Sequence, residues 1–220
     1  YEDADFCLPP VRLTEGELIA LFLGQKLLSR CAGTPYEPQI RTAFSKVCSF
    51  LPEGISVDFG AFDRWISFDM EPLRGDEKKL LEDYRKVLAA IENKETLHIN
   101  YYTASRGQSG WRSIDPYHLR YFHGAWYIIA YCHWRDEVRI FALDRVRKIK
   151  ETGIQFRPRP DFSLREYLGE CFGIERGDQP QRVVIRFDRQ QARWVQAREW
   201  HPSQQLEHLP DGSLLLEFTV

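Results

Sequence analysis

Apolar positions recur at helical spacing over the first ninety or so residues and every second residue from Thr96 onward. A Thr14-x-x-Glu17 capping box stands before Leu18, Ile19, Leu21, Phe22, Leu27 and Leu28, which predicts a first helix there. A second helix fits 36–51, where Ile40, Ala43, Phe44, Val47, Cys48 and Leu51 make one broad apolar face, and Pro52-Glu-Gly54 ends it. Residues 55–70 alternate only loosely and read as an irregular connector. Asp76 is placed to cap a third helix with the stripe Leu80, Leu81, Tyr84, Val87, Leu88 and Ile91, and Lys94 suits the dipole at its end.

The period-two section predicts strands at 96–103, 111–115, 117–122, 126–132, 138–143 and 146–151. Turns fall at Arg106–Gly110, His123-Gly124 and Arg135-Asp136. Short, closely spaced strands describe a small barrel better than a parallel sheet with crossovers. Pro158 and Pro160 mark a linker. Beyond it a short helix near 163–170 leads to strand 181–187, helix 189–198, strand 204–209, a Pro-Asp-Gly turn and strand 213–220. Leu214, Leu216 and Phe218 still alternate where the sequence stops, so this α+β unit is expected to be incomplete. The class is α+β in three parts: a helical linker or dimerisation region at 1–95, the barrel at 96–157, and the truncated unit at 158–220.

Composition narrows the picture. The chain has 220 residues, enough for one large or two modest domains with a buried core. No apolar run reaches the roughly 18 residues of a membrane span, and no secretory leader is visible. The sequence opens on Tyr1 and its one methionine is Met70, which suggests a piece of a longer protein. Cys7, Cys31, Cys48, Cys132 and Cys171 are dispersed and lack a Cys-x-x-Cys pair, so free buried thiols in a reducing compartment fit better than a disulfide frame or zinc knuckle. Net charge is −2, yet residues 101–150 hold nine Lys/Arg against four acids, a local excess of +5. That favours a small anionic ligand at one place over coating of long DNA. Arginine outnumbers lysine, and its planar fork suits bidentate phosphate or base contacts; compositional bias is the plain alternative.

Residues 124–145, Gly-Ala-Trp-Tyr-Ile-Ile-Ala-Tyr-Cys-His-Trp-Arg-Asp-Glu-Val-Arg-Ile-Phe-Ala-Leu-Asp-Arg, carry the chemistry. Cations interleaved with aromatic rings suit a flat anionic ligand such as a nucleotide. In a strand Trp126, Ile128 and Ala130 share one face while Tyr127, Ile129 and Tyr131 share the other. Trp126 reads as core. Arg139, on the face of Phe141 and Leu143, either meets an anion or pairs with Asp144 or another acid. Arg145, next to Asp144, leaves the same two readings open. Tyr101 and Tyr127 are stacking platforms or core tyrosines with satisfied hydroxyls.

Asp115-Pro116-Tyr117, Gly124–Cys132 and Arg139-Ile-Phe-Ala-Leu-Asp-Arg145-Val146 resemble the WYL-domain family of bacterial transcription regulators, with Ile128 where the eponymous leucine usually lies. Trp200-His201-Pro202-Ser203-Gln204 and Leu209-Pro-Asp-Gly212 resemble the WCX extension of that family. The resemblance covers roughly 96–151 and 163–220. It implies an Sm-like or SH3-like five-stranded barrel that senses an effector of nucleic-acid type, single-stranded DNA included. It also implies a homodimer, and promoter DNA bound through a helix-turn-helix that this stretch lacks. Carried over by residue, the ligand-facing set is Tyr101, Ser105, Arg106, Tyr117, Tyr127, Arg139 and Arg145. Some relatives have histidine at the positions of Tyr117 and Tyr127, which leaves a different ligand open.

No catalytic constellation competes. Cys132 and His133 are adjacent in a strand and point apart, Ser109 lacks a nucleophile elbow, and the six histidines show no metal spacing. His201, before a proline, reads as a turn or cap residue. The expectation is therefore a non-enzymatic cytoplasmic sensor without a cofactor or membrane partner. Two alternatives stand beside it. One is a structural dimerisation module whose arginines pair internally; the other is a sensor of a small anionic metabolite or cyclic dinucleotide.

Overall fold

The computed structural model describes residues 13–29, 37–49, 71–177 and 179–220. It divides into two compact units, residues 1–156 and 157–220. The sequence expectations for Pro52–Gly54, for the connector 55–70 and for Cys7 and Cys31 lie outside the described residues, as do those for the side chains of Leu27 and Leu28.

In the first unit α1 spans Glu15–Ser29 and α2 spans Glu37–Ser49. The capping box closes as read: Thr14 N donates to Glu17 Oε2 at 2.7 Å and Glu17 N donates to Thr14 Oγ1 at 3.3 Å. These two helices pack on each other through Phe22 and Phe44, with ring centroids 5.9 Å apart. Helix α3, Glu77–Asn93, starts on Asp76, which accepts from Lys79 N at 2.8 Å. It ends on Lys94 in the left-handed region (φ 52°), a place more often held by glycine, where the Lys94 N–H bonds back to the last turn.

Five strands follow: β1 Glu95–Thr103, β2 Gln108–Phe122, β3 Ala125–Cys132, β4 Glu137–Ala142 and β5 Val146–Gln155. They form one antiparallel sheet in the order β4-β3-β2-β1-β5. The two strands expected at 111–115 and 117–122 are a single strand. Pro116 has no N–H for a ladder, and a register shift between Pro116 and His118 absorbs it as a bulge, leaving Tyr117 as the extra residue. The bulge also restores the alternation, so that Ile114 pairs with Cys132 and Leu119 with Ile128.

Strand β2 changes partners along its length, pairing with β1 over 108–114 and with β3 over 114–122. Meanwhile the edge strands β4 and β5 are joined only by a 3-10 turn, Leu143–Arg145. A flat sheet would hold its outer strands about 19 Å apart, whereas that link spans at most about 14 Å. The sheet must curl. No ladder joins β4 to β5 among the described residues, so the closed barrel expected from the strand pattern is met as a curled open sheet.

The curl encloses Leu97, Ile99, Ile114, Ile128, Ala130, Cys132, Phe141, Leu143 and Val146, and α3 adds Leu80, Tyr84, Val87 and Ala90. Each fully buried Leu or Ile here contributes about 1.5–3 kcal/mol. Trp126 packs against this cluster, as its strand face requires. Tyr127 and Ile129, on the other face of β3, are buried as well. The segment before α3 lies along part of that face: Arg74 N donates to Gly124 O at 2.7 Å, and Glu71 holds His123 Nδ1 at 2.6 Å. Gly124 (φ 70°) follows His123 (φ 44°) in the two-residue hairpin. A Cβ at Gly124 would lie 2.4 Å from Pro72 O, so no other residue fits there.

The second unit has α4 Leu164–Gly169, β6 Arg182–Phe187, α5 Arg189–Val195, β7 Gln205–His208 and β8 Leu214–Thr219. Its sheet runs β6-β8-β7, antiparallel throughout, and α5 sets Ala192 and Val195 against Leu214, Leu216 and Phe218. His201 is indeed in a turn, but its ring is buried, stacked on Phe218 at 5.6 Å with Nδ1 2.8 Å from Ser203 Oγ. Cys132 and Cys171 are buried free thiols and Cys48 is a partly buried one. No described helix is long and apolar enough to cross a membrane.

Candidate functional site

The seven residues carried by the resemblance do not form one cluster. Tyr101, Tyr127 and Arg145 gather around the 3-10 turn between β4 and β5. Ser105 and Arg106 sit in the exposed turn between β1 and β2. Tyr117 is the bulge residue, half-buried against Phe156 at 5.8 Å. Arg139 lies across from Ala130 on the core-side face and pairs with Glu137 at 3.1 Å, its side chain 42% exposed. An ion pair that open to water is worth about 0–1 kcal/mol and does not lock the guanidinium.

Around the 3-10 turn the chemistry is tighter. Tyr101 is buried, its ring edge-on to Phe141 at 5.1 Å, and its hydroxyl accepts from Ala142 N at 3.2 Å. Burial pushes the Tyr101 phenol up, while the Ala142 N–H and the nearby Arg145 guanidinium pull it down. Tyr127 is buried and receives a hydrogen bond from Arg74 Nη2 at 3.3 Å. The same Arg74 grips Asp144 with Nε at 2.8 Å and Nη2 at 3.1 Å, and this pairing raises its pKa further. Asp144 is thus occupied by Arg74. It is not the partner of Arg139, which pairs instead with another acid, Glu137, as the pairing reading also allowed. Arg145 has no carboxylate partner among the described residues.

An open depression of about 550 Å³ lies beside this group, lined by Lys79, Tyr102, Asp144, Arg145, Val146, Arg147 and Lys148. Lys79 is held by the buried Asp83 and donates to Val146 O at 2.5 Å. The Arg147 guanidinium stands over the Tyr102 ring at 5.3 Å. One carboxylate and four cations therefore face this space, which suits an anion.

A second cation-rich group surrounds Trp134 in the turn after β3. The guanidiniums of Arg112, Arg135 and Arg106 lie 4.3, 4.3 and 5.6 Å from its ring. Sequence reading singled out Arg106 alone of these. Arg74, Lys79, Tyr102 and Arg147 were missed at the first group, since Arg74 meets Tyr127 from 53 positions away and leaves no local signal. A tryptophan followed by arginine in a polar turn was the visible sign of the second. No group of three or more His, Cys, Asp or Glu able to hold a metal occurs among the described residues.

The family model described as WYL domain matches residues 82–151, which runs from within α3 to the middle of β5. This stretch is a WYL domain. The chain is similar to an uncharacterized HTH-type transcriptional regulator, YobV, of Bacillus subtilis, 33% identical over 141 residues. That match covers 62% of this chain and 42% of YobV. Protein PafC of Mycobacterium leprae is 25% identical over 206 residues, 93% of this chain and 59% of PafC. The DNA-binding transcriptional repressor CapW of Escherichia coli is 29% identical over 97 residues, 44% of this chain and 32% of CapW. The chain thus spans roughly a third to three-fifths of these relatives. YobV and CapW bear the names of regulators rather than enzymes, in line with the non-enzymatic expectation.

Proposed function

We propose that this chain is the effector-sensing, dimerising part of a bacterial transcription regulator that acts in the cytoplasm. Its WYL domain binds a nucleic-acid-type or nucleotide effector, and promoter DNA is bound by a helix-turn-helix lying outside this stretch. The curled sheet serves as an Sm-like barrel over 96–157, residues 1–95 as linker and dimer contact, and 158–220 as the WCX-type extension. Effector binding shifts the balance between two dimer arrangements because its affinity for them differs.

One observation carries this reading. Arg145 stands beside the Tyr101 hydroxyl at the mouth of a cationic depression, with no carboxylate partner among the described residues. A module built only for internal salt bridges would neutralise it. The rival sensor of a small metabolite uses the same depression.

A labelled single-stranded oligonucleotide titrated against the wild type, Arg145→Ala and Arg139→Ala tests the reading. The expected result is salt-sensitive binding by the wild type, a loss of about tenfold or more for Arg145→Ala, and a smaller loss for Arg139→Ala. Binding that neither substitution moves would reject the site. Binding of a cyclic dinucleotide in preference to the oligonucleotide would select the rival ligand.

A further inference from the structure

We propose that the Trp134 cluster is a preformed phosphate grip that holds one or two adjacent backbone phosphates of a single-stranded nucleic acid, apart from the depression at Arg145. This rests on the nucleic-acid reading above and adds a second contact to it. Three guanidiniums within 5.6 Å of one ring centroid lie within about 10 Å of one another. Like charges brought that close raise the free energy of the fold unless something negative accompanies them.

No carboxylate among the described residues does so. Arg106, Arg112 and Arg135 have no ion pair among the described residues, and the nearby acids are engaged elsewhere. Asp115 accepts from Thr96 Oγ1 at 2.7 Å and pairs with His133 Nε2 at 2.8 Å. Asp136 accepts from the Tyr131 hydroxyl, and Glu137 pairs with Arg139. The charge of the cluster is left for a ligand.

The geometry suits phosphate in particular. A guanidinium held over an indole by its charge still has N–H groups to donate, as a phosphate oxygen needs. Arg112 is fixed a second time, its Nη2 donating to Thr103 Oγ1 at 3.3 Å. The turn that presents Trp134 and Arg135 is itself pinned. His133 N donates to Ser113 O at 3.1 Å, and Arg135 N and Asp136 N both donate to Cys132 O, at 3.1 and 2.8 Å. Trp134 is 55% exposed in a unit with ample apolar core to take it, so burial does not explain its place. Pre-ordered donors lose little entropy when a ligand arrives. A cluster this compact spans a phosphate or two, not the length of a duplex.

The test is anisotropy of a labelled oligothymidylate against the full chain across a salt series. For Arg112→Ala/Arg135→Ala the expected result is on the order of tenfold weaker binding at low salt, with the slope of log K against log salt shallower by about 0.7 for each phosphate no longer held. Arg112→Lys/Arg135→Lys keeps the charge and removes the planar fork, and recovers only part of the affinity. Inorganic phosphate at matched phosphate concentration does not displace the strand, and a duplex of the same length binds more weakly. Wild-type affinity and slope in the alanine double variant, equal binding of the duplex, or full displacement by inorganic phosphate would each overturn the grip. If the wild type binds no oligonucleotide at all, the effector reading fails and the grip with it. Loss confined to the alanine pair, with Arg145→Ala unaffected, would leave the grip and reject the depression.

Discussion

The two units treat their arginines differently. In the 157–220 unit Arg159, Arg176, Arg182 and Arg186 each meet a carboxylate: Asp161, Glu170, Glu217 and Asp211. In the WYL domain, Arg139 alone of the nine cations at 101–150 does so among the described residues. Six of the other eight turn to rings instead: Arg106, Arg112 and Arg135 to Trp134, Arg120 to Phe122, Arg147 to Tyr102 and Lys150 to Trp111. A ring orders a cation without cancelling its charge. The local excess of +5 therefore remains available outside one unit, while much of the charge of the other is spent within it.

The harshest way to probe this contrast is to remove the scaffold that displays the unpaired cations. Ile128→Ala, at a fully buried position on β3, is expected to cost about 2–5 kcal/mol in urea denaturation. If the units fold independently, hydrogen exchange in β6 and β8 stays as it was. Tyr101→Phe removes the acceptor of the Ala142 N–H and should cost about 1–2 kcal/mol, with oligonucleotide binding weakened only through Arg145. The same variant has a pH signature. The folded Tyr101 phenol titrates above its unfolded value, so the folded state holds the proton longer and stability falls as pH rises past about 10. That loss should shrink in the phenylalanine variant.

Salt sharpens the comparison by sign. Screening relieves repulsion in the WYL domain and weakens pairs in the second unit, so moderate salt should slow exchange in β1–β5 and quicken it in β6–β8. Equal responses would dissolve the contrast. The smallest effect expected is at His118, whose pKa is lowered by burial and then by Arg120. The folded state binds that proton less readily than the unfolded chain. Its contribution is full above about 6.5 and is lost as pH falls through the folded value. His118→Gln should flatten that part of a stability-against-pH curve.

Helices α1 and α3 were legible because their caps and stripes are local, and Asp76 and Thr14 accept the bonds expected of them. The face assignment on β3 was legible for Ile128 and Ala130 but not for Tyr127. Alternation says which residues lie together, and only the segment carrying Arg74 decides whether that side is covered. The bulge at Pro116 was read as a break between strands, since a proline signals a lost ladder bond whether the chain stops or steps around it. The candidate site was legible as a composition, tyrosines among arginines, and not as a place.

From the sequence alone came the element types, the run of short strands, the concentration of charge at 101–150 and the family resemblance, all of which depend on neighbours within a few positions. Tertiary structure decided which cations are neutralised. Arg74 finds Asp144 across 70 positions, and Arg106 finds Trp134 because antiparallel pairing of β1 and β3 with β2 brings the β1–β2 and β3–β4 turns to the same end of the sheet. Charge is a property of residues; whether it is spent inside the molecule depends on distances that no local pattern records.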